Sequence, residues 1–348
     1  MKFNERIEGI RSFYVKEGWE LVVNTKKELL KNRIKVASKV DDINYCVINE
    51  KLIFNSNESA YINDSILLDK EYFNCSLESG IILLGSDFEI DYPNYIGRYY
   101  LYDIDANIFV FDKILSNNSL SFKTNNELVY TDKIWVYALS IDLNSLELWQ
   151  FDLSQFGQWY LDTDDARNYE VSKFLGTYKD ALLIVCNSGR LVSLNIHTGE
   201  LLHYWDAYPM IRESKHNVFS ESMELDLERC EVVGMDHDVL WRVDLDTNIV
   251  YSYSLAEKFG QYDYEYITGM SSFPITENHY YLVLNTKYIE RIDDRQQGIV
   301  ALNKDTLEID WHYLFDEGEW ISSRKMQVTN THLYLLDSNN NLYIFEKE

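Results

Sequence analysis

Four stretches of this chain follow one plan: GRLVSLNIHTGELLHYW (189–205), GIVALNKDTLEIDWHY (298–313), DVLWRVDLDTNIVYSYS (238–254) and IWVYALSIDLNSLELWQF (134–151). Each has an alternating strand, a polar turn holding Asp or Asn with Thr or Ser, and a second alternating strand rich in Trp or Tyr. Period-two alternation marks a strand with one face buried. The Asx-Thr-Gly centre supplies a tight turn, because Asn and Gly tolerate positive φ and short polar side chains bond their own backbone. Registered on Ser145, Thr198, Thr247 and Thr306, the hairpins recur at intervals of 53, 49 and 59 residues. A degenerate copy, RYYLYDIDANIFVF (98–111), puts Ala106 in the same register 39 residues before Ser145, and NESAYINDSILLDK (57–70) centres near Asn63. A period of about 40–50 residues with about four short strands each predicts an all-β fold, a β-propeller. Strands without helices between them exclude a doubly wound parallel sheet.

The C-terminal HLYLLDSNNNLYIFEKE (332–348) reads as two strands and a hairpin. Its NLYIF aligns with RLVSL of 190–194, and the chain stops before an outer strand. A strand from the N-terminus, around GWELVV (18–23), is expected to complete that last blade, which removes exposed sheet edges. With six hairpins this gives seven four-stranded blades, and six to eight are compatible with the weakly patterned first hundred residues. Only three prolines and no Gly/Ser run are present, so 1–348 reads as a single propeller domain.

The pattern G-x-L-V-x-L-x-x-x-T-G-E-x-x-x-x-W at 189–205 resembles the repeat of the PQQ-like (quinoprotein-like) β-propeller superfamily. The resemblance covers about 95–348 and implies the fold. That superfamily includes quinoprotein dehydrogenases and non-enzymatic scaffolds, so it carries no single function. The chain lacks the vicinal Cys-Cys of many of those dehydrogenases, and neither quinone nor calcium is carried over: no cofactor is expected.

Charge narrows the partners. The net charge is -25, divided as +5 over residues 1–40 and -30 over the rest. Such a body repels phosphate backbones, which argues against nucleic acid. It attracts basic proteins and accelerates encounter with them. No apolar window reaches the ~18 residues of a membrane helix, and the N-terminus has no signal-peptide pattern, so a cytoplasmic protein without a membrane partner is expected. Cys46, Cys75, Cys186 and Cys230 lack metal or redox spacing and read as free thiols.

Catalytic signatures are absent from the sequence. The seven histidines form no zinc spacing. Asp236-His237-Asp238 is sequential, and neighbours on a strand face opposite ways, so it reads as a turn rather than a triad. DTDDARNYE (162–170) opens like a calcium loop but lacks the central Gly and the Glu at position twelve. CNSGR (186–190) reads as a hairpin turn. No metal site and no enzyme activity are expected.

Binding is expected where an outer strand runs into the inner strand of the next blade. Four such segments, 152–170, 206–228, 254–268 and 316–325, carry -11 over 67 residues, about twice the chain average. They are also aromatic, and Trp and Tyr dominate protein interface hot spots. Phe-Gly-Gln occurs in two of them, at 156–158 and 259–261, and its recurrence at equivalent places marks a structural joint. The variable residues beside it are the candidates for partner binding: Trp159, Tyr160, Asp162, Asp164 and Asp165; Tyr262, Asp263, Tyr264, Glu265 and Tyr266; Glu319 and Trp320. Mixed acid and aromatic character suits a basic protein surface. The function expected is a non-enzymatic protein-binding propeller, most concretely a bacterial immunity-type protein that occludes a cationic toxin. The alternatives are an enzyme or ligand receptor using the central channel, for a glycoside or lactone, and a general assembly scaffold.

Overall fold

The computed structural model describes residues 1–16, 19–24, 26–38, 40–48, 51–56, 59–62, 65–68, 73–75, 81–91, 94–103, 108–116, 121–124, 127–140, 147–160, 166–187, 189–205, 222–267, 273–286 and 296–347. Backbone contacts divide the chain into two compact units, Met1–Ser38 with Ser220–Glu348, and Lys39–Phe219.

Strands follow one another with almost no helix. β1 is Lys2–Glu8. β2 to β5 are Ile10–Lys16, Trp19–Asn24, Glu28–Lys31 and Ile34–Ser38. In the second unit, β6 to β9 are Val40–Ile48, Lys51–Ser56, Ser59–Ile62 and Ser65–Leu68, and β10 to β13 are Phe73–Cys75, Ile81–Asp91, Asn94–Asp103 and Ile108–Ser116. β14 to β17 are Ser121–Lys123, Glu127–Asp132, Trp135–Ser140 and Glu147–Asp152. A ribbon of β18 (Gln158–Tyr160) and β19 (Ala166–Asn168) precedes β20 to β23, at Val171–Tyr178, Ala181–Cys186, Leu191–Asn195 and Leu201–Trp205. The first unit resumes with β24 to β27, at Met223–Asp226, Glu231–Asp236, Val239–Asp244 and Val250–Ser254. A short helix, α1 (Ala256–Gly260), leads to β28 to β31, at Tyr264–Ile267, His279–Thr286, Gln297–Asn303 and Ile309–Leu314. β32 to β34 are Ile321–Val328, His332–Asp337 and Asn341–Glu346.

Among the described residues these strands make eight four-stranded antiparallel sheets, four in each unit, where seven were expected from the repeat. The last has the order β1-β34-β33-β32, so an N-terminal strand does complete it. The strand that does so is Lys2–Glu8, paired from Lys2↔Glu346 to Glu8↔Asn341, and not 18–23. Of 18–23, residue 18 lies outside the described residues and 19–23 fall within β3, the second strand of a sheet of its own, β2-β3-β4-β5. That sheet does not carry the repeat's mark, because its outer hairpin turns on Asn32 and Arg33, both at positive φ, without an Asx-Thr signature.

The Asx-Thr turn itself is the same object three times. Asn195 Oδ1 accepts the N–H groups of His197 and Thr198, both at 3.0 Å. Asp244 Oδ1 takes those of Asp246 and Thr247 at 2.9 and 2.8 Å. Asn303 Oδ1 takes those of Asp305 and Thr306 at 2.9 and 3.1 Å. The Thr hydroxyl then accepts the N–H two residues on, and the residue between them closes an i→i+4 backbone bond in the left-handed region. That residue is Gly199, Asn248 or Leu307, at φ 69, 60 and 56. Only Gly sits there without steric cost.

The middle strands are buried on both faces. β21, β22, β29, β30 and β33 are buried along nearly their whole length, so ALLIVC and GIVAL read as continuous apolar runs rather than alternating ones. Each fully buried Val, Leu or Ile there contributes about 1.5–3 kcal/mol. The first unit's main core joins Leu282, Val283, Ile299, Val300, Phe259, Phe273 and Phe345. The second unit's described core joins Trp149, Leu153, Leu182, Ile184 and Val192. Outer strands are exposed: all five residues of β27, and most of β5 and β1. Cys186 is a buried free thiol and Cys230 a half-buried one; the side chains of Cys46 and Cys75 lie outside the described residues.

Candidate functional site

The two Phe-Gly-Gln joints share one role and differ in another. Phe156 packs in the second unit against Phe151, Tyr169 and Tyr204, with the Arg190 guanidinium 4.9 Å from its ring centroid. Phe259 is fully buried in the first unit. Both aromatics are therefore core anchors for the chain as it leaves an outer strand. The glycines diverge. Gly157 ends a 3-10 turn at φ 78, whereas Gly260 belongs to α1 and the left-handed residue there is Asp263, at φ 60.

The candidates in the second unit are partly committed to the ribbon. Trp159 is half-buried, donates its indole N–H to the Asn168 carbonyl at 3.2 Å, and lies 5.7 Å from the Arg167 guanidinium. Tyr160 is the last residue of β18. Its side chain, and Asp162, Asp164 and Asp165 entirely, lie outside the described residues. β19 occupies positions that the calcium-loop reading would have needed for ligands.

In the first unit the segment after β27 separates into surface and core. Tyr262 is 36% exposed; its ring centroid lies 4.6 Å from that of His312 on β31, and its hydroxyl reaches the Ile309 carbonyl at 3.4 Å. Tyr264 is 1% exposed, with its hydroxyl 3.5 Å from His312 Nδ1 and its ring laid on Gly298. A Cβ at residue 298 would stand 2.0 Å from that hydroxyl oxygen. Burial pushes the Tyr264 phenol up to about 12. Expected at a partner surface, Tyr264 is instead a core residue, because alternation along β28 turns it inward. Asp263 and Glu265 are exposed, and Tyr266 is half-buried against the His237 ring at 5.6 Å. The turn expected at 236–238 is present, with His237 at φ 50 and its Nδ1 2.9 Å from Asp236.

After β31, Trp320 is 37% exposed and its carbonyl accepts the Ser338 N–H at 2.7 Å. Glu319 is occupied within the protein. One oxygen holds Arg6 of β1 at 2.7 Å, and the other accepts the Asp316 N–H at 3.3 Å. Arg6 also lies over the Tyr343 ring at 5.4 Å. The segments after β27 and after β31 both run from an outer strand to the next inner one, so they project from one side of the unit. Of the candidates there, Tyr262, Asp263, Glu265 and Trp320 present themselves to solvent.

A cleft of about 400 Å³ opens among the inner strands of the same unit. Tyr14, Glu224 and Gln327 give it polar groups, and Phe273, Ile275 and Met326 give it apolar walls. Gln327 Oε1 is held by the Val15 N–H at 2.6 Å, which fixes the amide's orientation. Glu224 and Leu225 belong to the 206–228 segment singled out from the sequence, but no lining residue was a named candidate, since inner strands carry no motif that distinguishes a lining residue from a packing one. Among the described residues no group of three or more His, Cys, Asp or Glu is placed to hold a metal ion, and no helix is long and apolar enough to cross a membrane.

No family model matches the chain, and no curated protein matches it. Solved structures do. Sqt1 from Saccharomyces cerevisiae, a WD40 propeller, superposes with a TM-score of 0.62 at 10% identity, over 100% of this chain and 98% of that one. The computationally designed Ika8 protein superposes with a TM-score of 0.59 at 10% identity, over 99% and 98%. BamB from Moraxella catarrhalis, a PQQ-like repeat propeller, gives 0.50 at 12% identity, over 87% and 96%. The chain is an all-β propeller, and the likeness read from its repeat holds at the level of fold. At such identities nothing about function transfers.

Proposed function

We propose that this chain is a protein-binding β-propeller without catalytic activity, which covers a basic protein partner. The observation that carries the reading is the pairing of exposed Tyr262 and Trp320 with exposed acids on outer-to-inner connections of one unit. Aromatic rings supply desolvated contact area with a polar handle, and carboxylates steer and orient Lys and Arg. An overall charge of -25 extends that steering beyond the contact itself. The most concrete form is a cytoplasmic immunity-type protein that occludes the basic cleft of a bacterial toxin.

The test is isolation of the complex from the native host, followed by association kinetics against ionic strength. A stoichiometric basic partner is expected, with an association rate that falls as salt rises. Trp320→Ala and Tyr262→Ala each weaken binding about 30-fold or more, as truncated hot spots do. An association rate indifferent to salt, or full affinity in both variants, overturns the reading.

The cleft supports a second reading, a small-ligand receptor. Its volume lies within the range of about 300–1,000 Å³ usual for such sites. Saturable binding from a glycoside and lactone panel, lost in Glu224→Gln, would favour it over the first.

A further inference from the structure

The outer edge of β27 differs from most other outer edges. β1 carries Lys2, Glu5, Arg6 and Glu8, β5 carries Lys35, β17 carries Glu147 and Asp152, and β31 carries Asp310. Charges on an edge strand are how native sheets prevent pairing with another chain. From Ile249 to Leu255 no residue is charged, none is proline, and Val250 to Ser254 are exposed throughout. β9 and β23 also lack Lys, Arg, Asp and Glu; β23 is partly buried and ends on buried Trp205, and the side chains of β9 lie outside the described residues.

The register of β27 fixes which groups face outward. It pairs with β26 from Val239↔Ser254 to Val243↔Val250. The Asp244 N–H donates to Ile249 O and the Leu255 N–H to Asp238 O. In an antiparallel ladder hydrogen-bonded pairs alternate, so Ile249, Tyr251, Tyr253 and Leu255 turn their main-chain groups toward β26. Val250, Ser252 and Ser254 turn theirs toward solvent.

The strand is also self-complementary. Tyr-Ser-Tyr at 251–253 reads the same in both directions. Across a two-fold axis at Ser252, Ser252 faces its own copy and Val250 faces Ser254 of the second copy. Each of these outward-facing residues then exchanges its N–H and C=O with its opposite number. Tyr251 falls opposite Tyr253 of the second copy in the closer, non-hydrogen-bonded pairing, where aromatic cross-strand pairs stabilise most. No like charges meet along the strand, although the two chains repel overall.

We propose that β27 is a homotypic docking edge, at which two copies of this chain pair antiparallel about Ser252. The contact is isologous, so it closes at a dimer. Five residues a side fall well short of the roughly 20–30 of a standard interface, which makes the dimer weak, in the micromolar-to-millimolar range. The charge of -25 on each copy opposes it, and salt screens that repulsion, so the dimer gains population as ionic strength rises. This is the opposite sign from the steered binding proposed above, so a salt series on the isolated chain reads self-association and one with the partner present reads the steered binding, and each can fail without the other.

The experiment is sedimentation of the full chain across a concentration series at low and high salt. A dimer that grows with concentration and with salt is expected, and it is lost in Ser252→Pro. Proline there removes only an outward N–H, which edge strands tolerate. Ser252→Cys provides a second readout. Only a residue on the two-fold axis meets its own copy, at a Cα separation of ~5.5 Å that suits a disulfide. Under mild oxidation Ser252→Cys is expected to give a covalent dimer at least tenfold faster than Ser254→Cys or the unsubstituted chain. A monomer at every concentration and salt, a dimer unchanged in a folded Ser252→Pro, or equal cross-linking of the two cysteine variants overturns the proposal.

Discussion

The Trp149 indole donates its N–H to the Ile196 carbonyl at 2.8 Å, tying the outer strand of one sheet to the Asx-Thr turn of the next. The ring lies on Gly199 of the same turn. In the first unit, the carbonyl equivalent to that of Ile196 belongs to Lys304, and it accepts Arg242 Nη2 at 2.6 Å. The repeated turn is thus a repeated dock. One sheet grips it with an aromatic ring and the other with a guanidinium.

Gly199→Ala is expected to destabilise the chain by about 2–5 kcal/mol. A Cβ would stand 2.5 Å from Trp149 Cε3, and the residue is held at φ 69. The left-handed conformation costs about 1–2 kcal/mol, and overpacking adds about 1–3. Urea denaturation checks this. Trp149→Ala makes room for the new methyl, so the two changes together cost less than their sum.

Lys304 is the most unusual residue at the dock, since Ile196 holds its place in the other turn. Its side chain is 1% exposed and meets Asp226 Oδ2, itself 2% exposed, at 2.5 Å. The contact is an ion pair without the geometry of a directed hydrogen bond. The Tyr280 ring lies 5.5 Å from the ammonium. Asp226→Leu alone leaves a buried cation and is expected to cost about 3–5 kcal/mol. Asp226→Leu with Lys304→Met restores most of that loss, because an apolar pair of similar volume replaces a desolvated ionic one. Thermal unfolding of the three chains gives the comparison.

Asp244 should behave differently from its counterparts Asn195 and Asn303. The backbone N–H of Thr247 first, and then the Thr247 hydroxyl and the Asp246 N–H, hold its carboxyl below the usual range. A folded-state value below the unfolded one means stability that is present above the ordinary carboxylate pKa and lost as pH falls through the depressed one. Asp244→Asn should keep the turn, since asparagine makes it at 195 and 303, and should flatten the acid limb of the stability curve below about pH 4. Carboxyl NMR titration together with acid unfolding measures both.

The fold was legible wherever its turn chemistry repeats. Asn195, Asp244 and Asn303 each mark a hairpin with a side-chain oxygen, and that mark recurs in the sequence. Where the turn is made by main-chain conformation alone, as at Asn32-Arg33, nothing in the residue types announces it, and a whole sheet was missed. The closing strand was misplaced for a related reason: GWELVV alternates more cleanly than KFNERIE, yet the polar strand suits an exposed outer position. The candidate site was legible only by neighbourhood. The joints at Phe156 and Phe259 located the connections, but facing is decided residue by residue by strand alternation and by what lies beneath, as Gly298 lies beneath Tyr264. The burial of Lys304 left no trace, because a lysine in a polar turn ordinarily points to water.

Tyr262 and Tyr264, two residues apart, should separate binding from stability. Tyr264 fills the space above Gly298, so Tyr264→Ala opens a cavity and is expected to cost about 3–5 kcal/mol. Tyr264→Phe removes only a hydroxyl whose contact with His312 is 3.5 Å long, and should cost under about 1 kcal/mol. Tyr262 covers the His312 ring from outside and is 36% exposed, so Tyr262→Ala should cost under about 1 kcal/mol of stability. If the connections after β27 and β31 bind a basic protein, Tyr262→Ala and Trp320→Ala lose affinity at unchanged melting temperature, while Tyr264→Phe keeps both. Calorimetric melting and binding to the isolated partner, run on the same four chains, decide whether the exposed aromatics serve recognition. Affinity that tracks melting temperature across all four would return Tyr262 to a packing role.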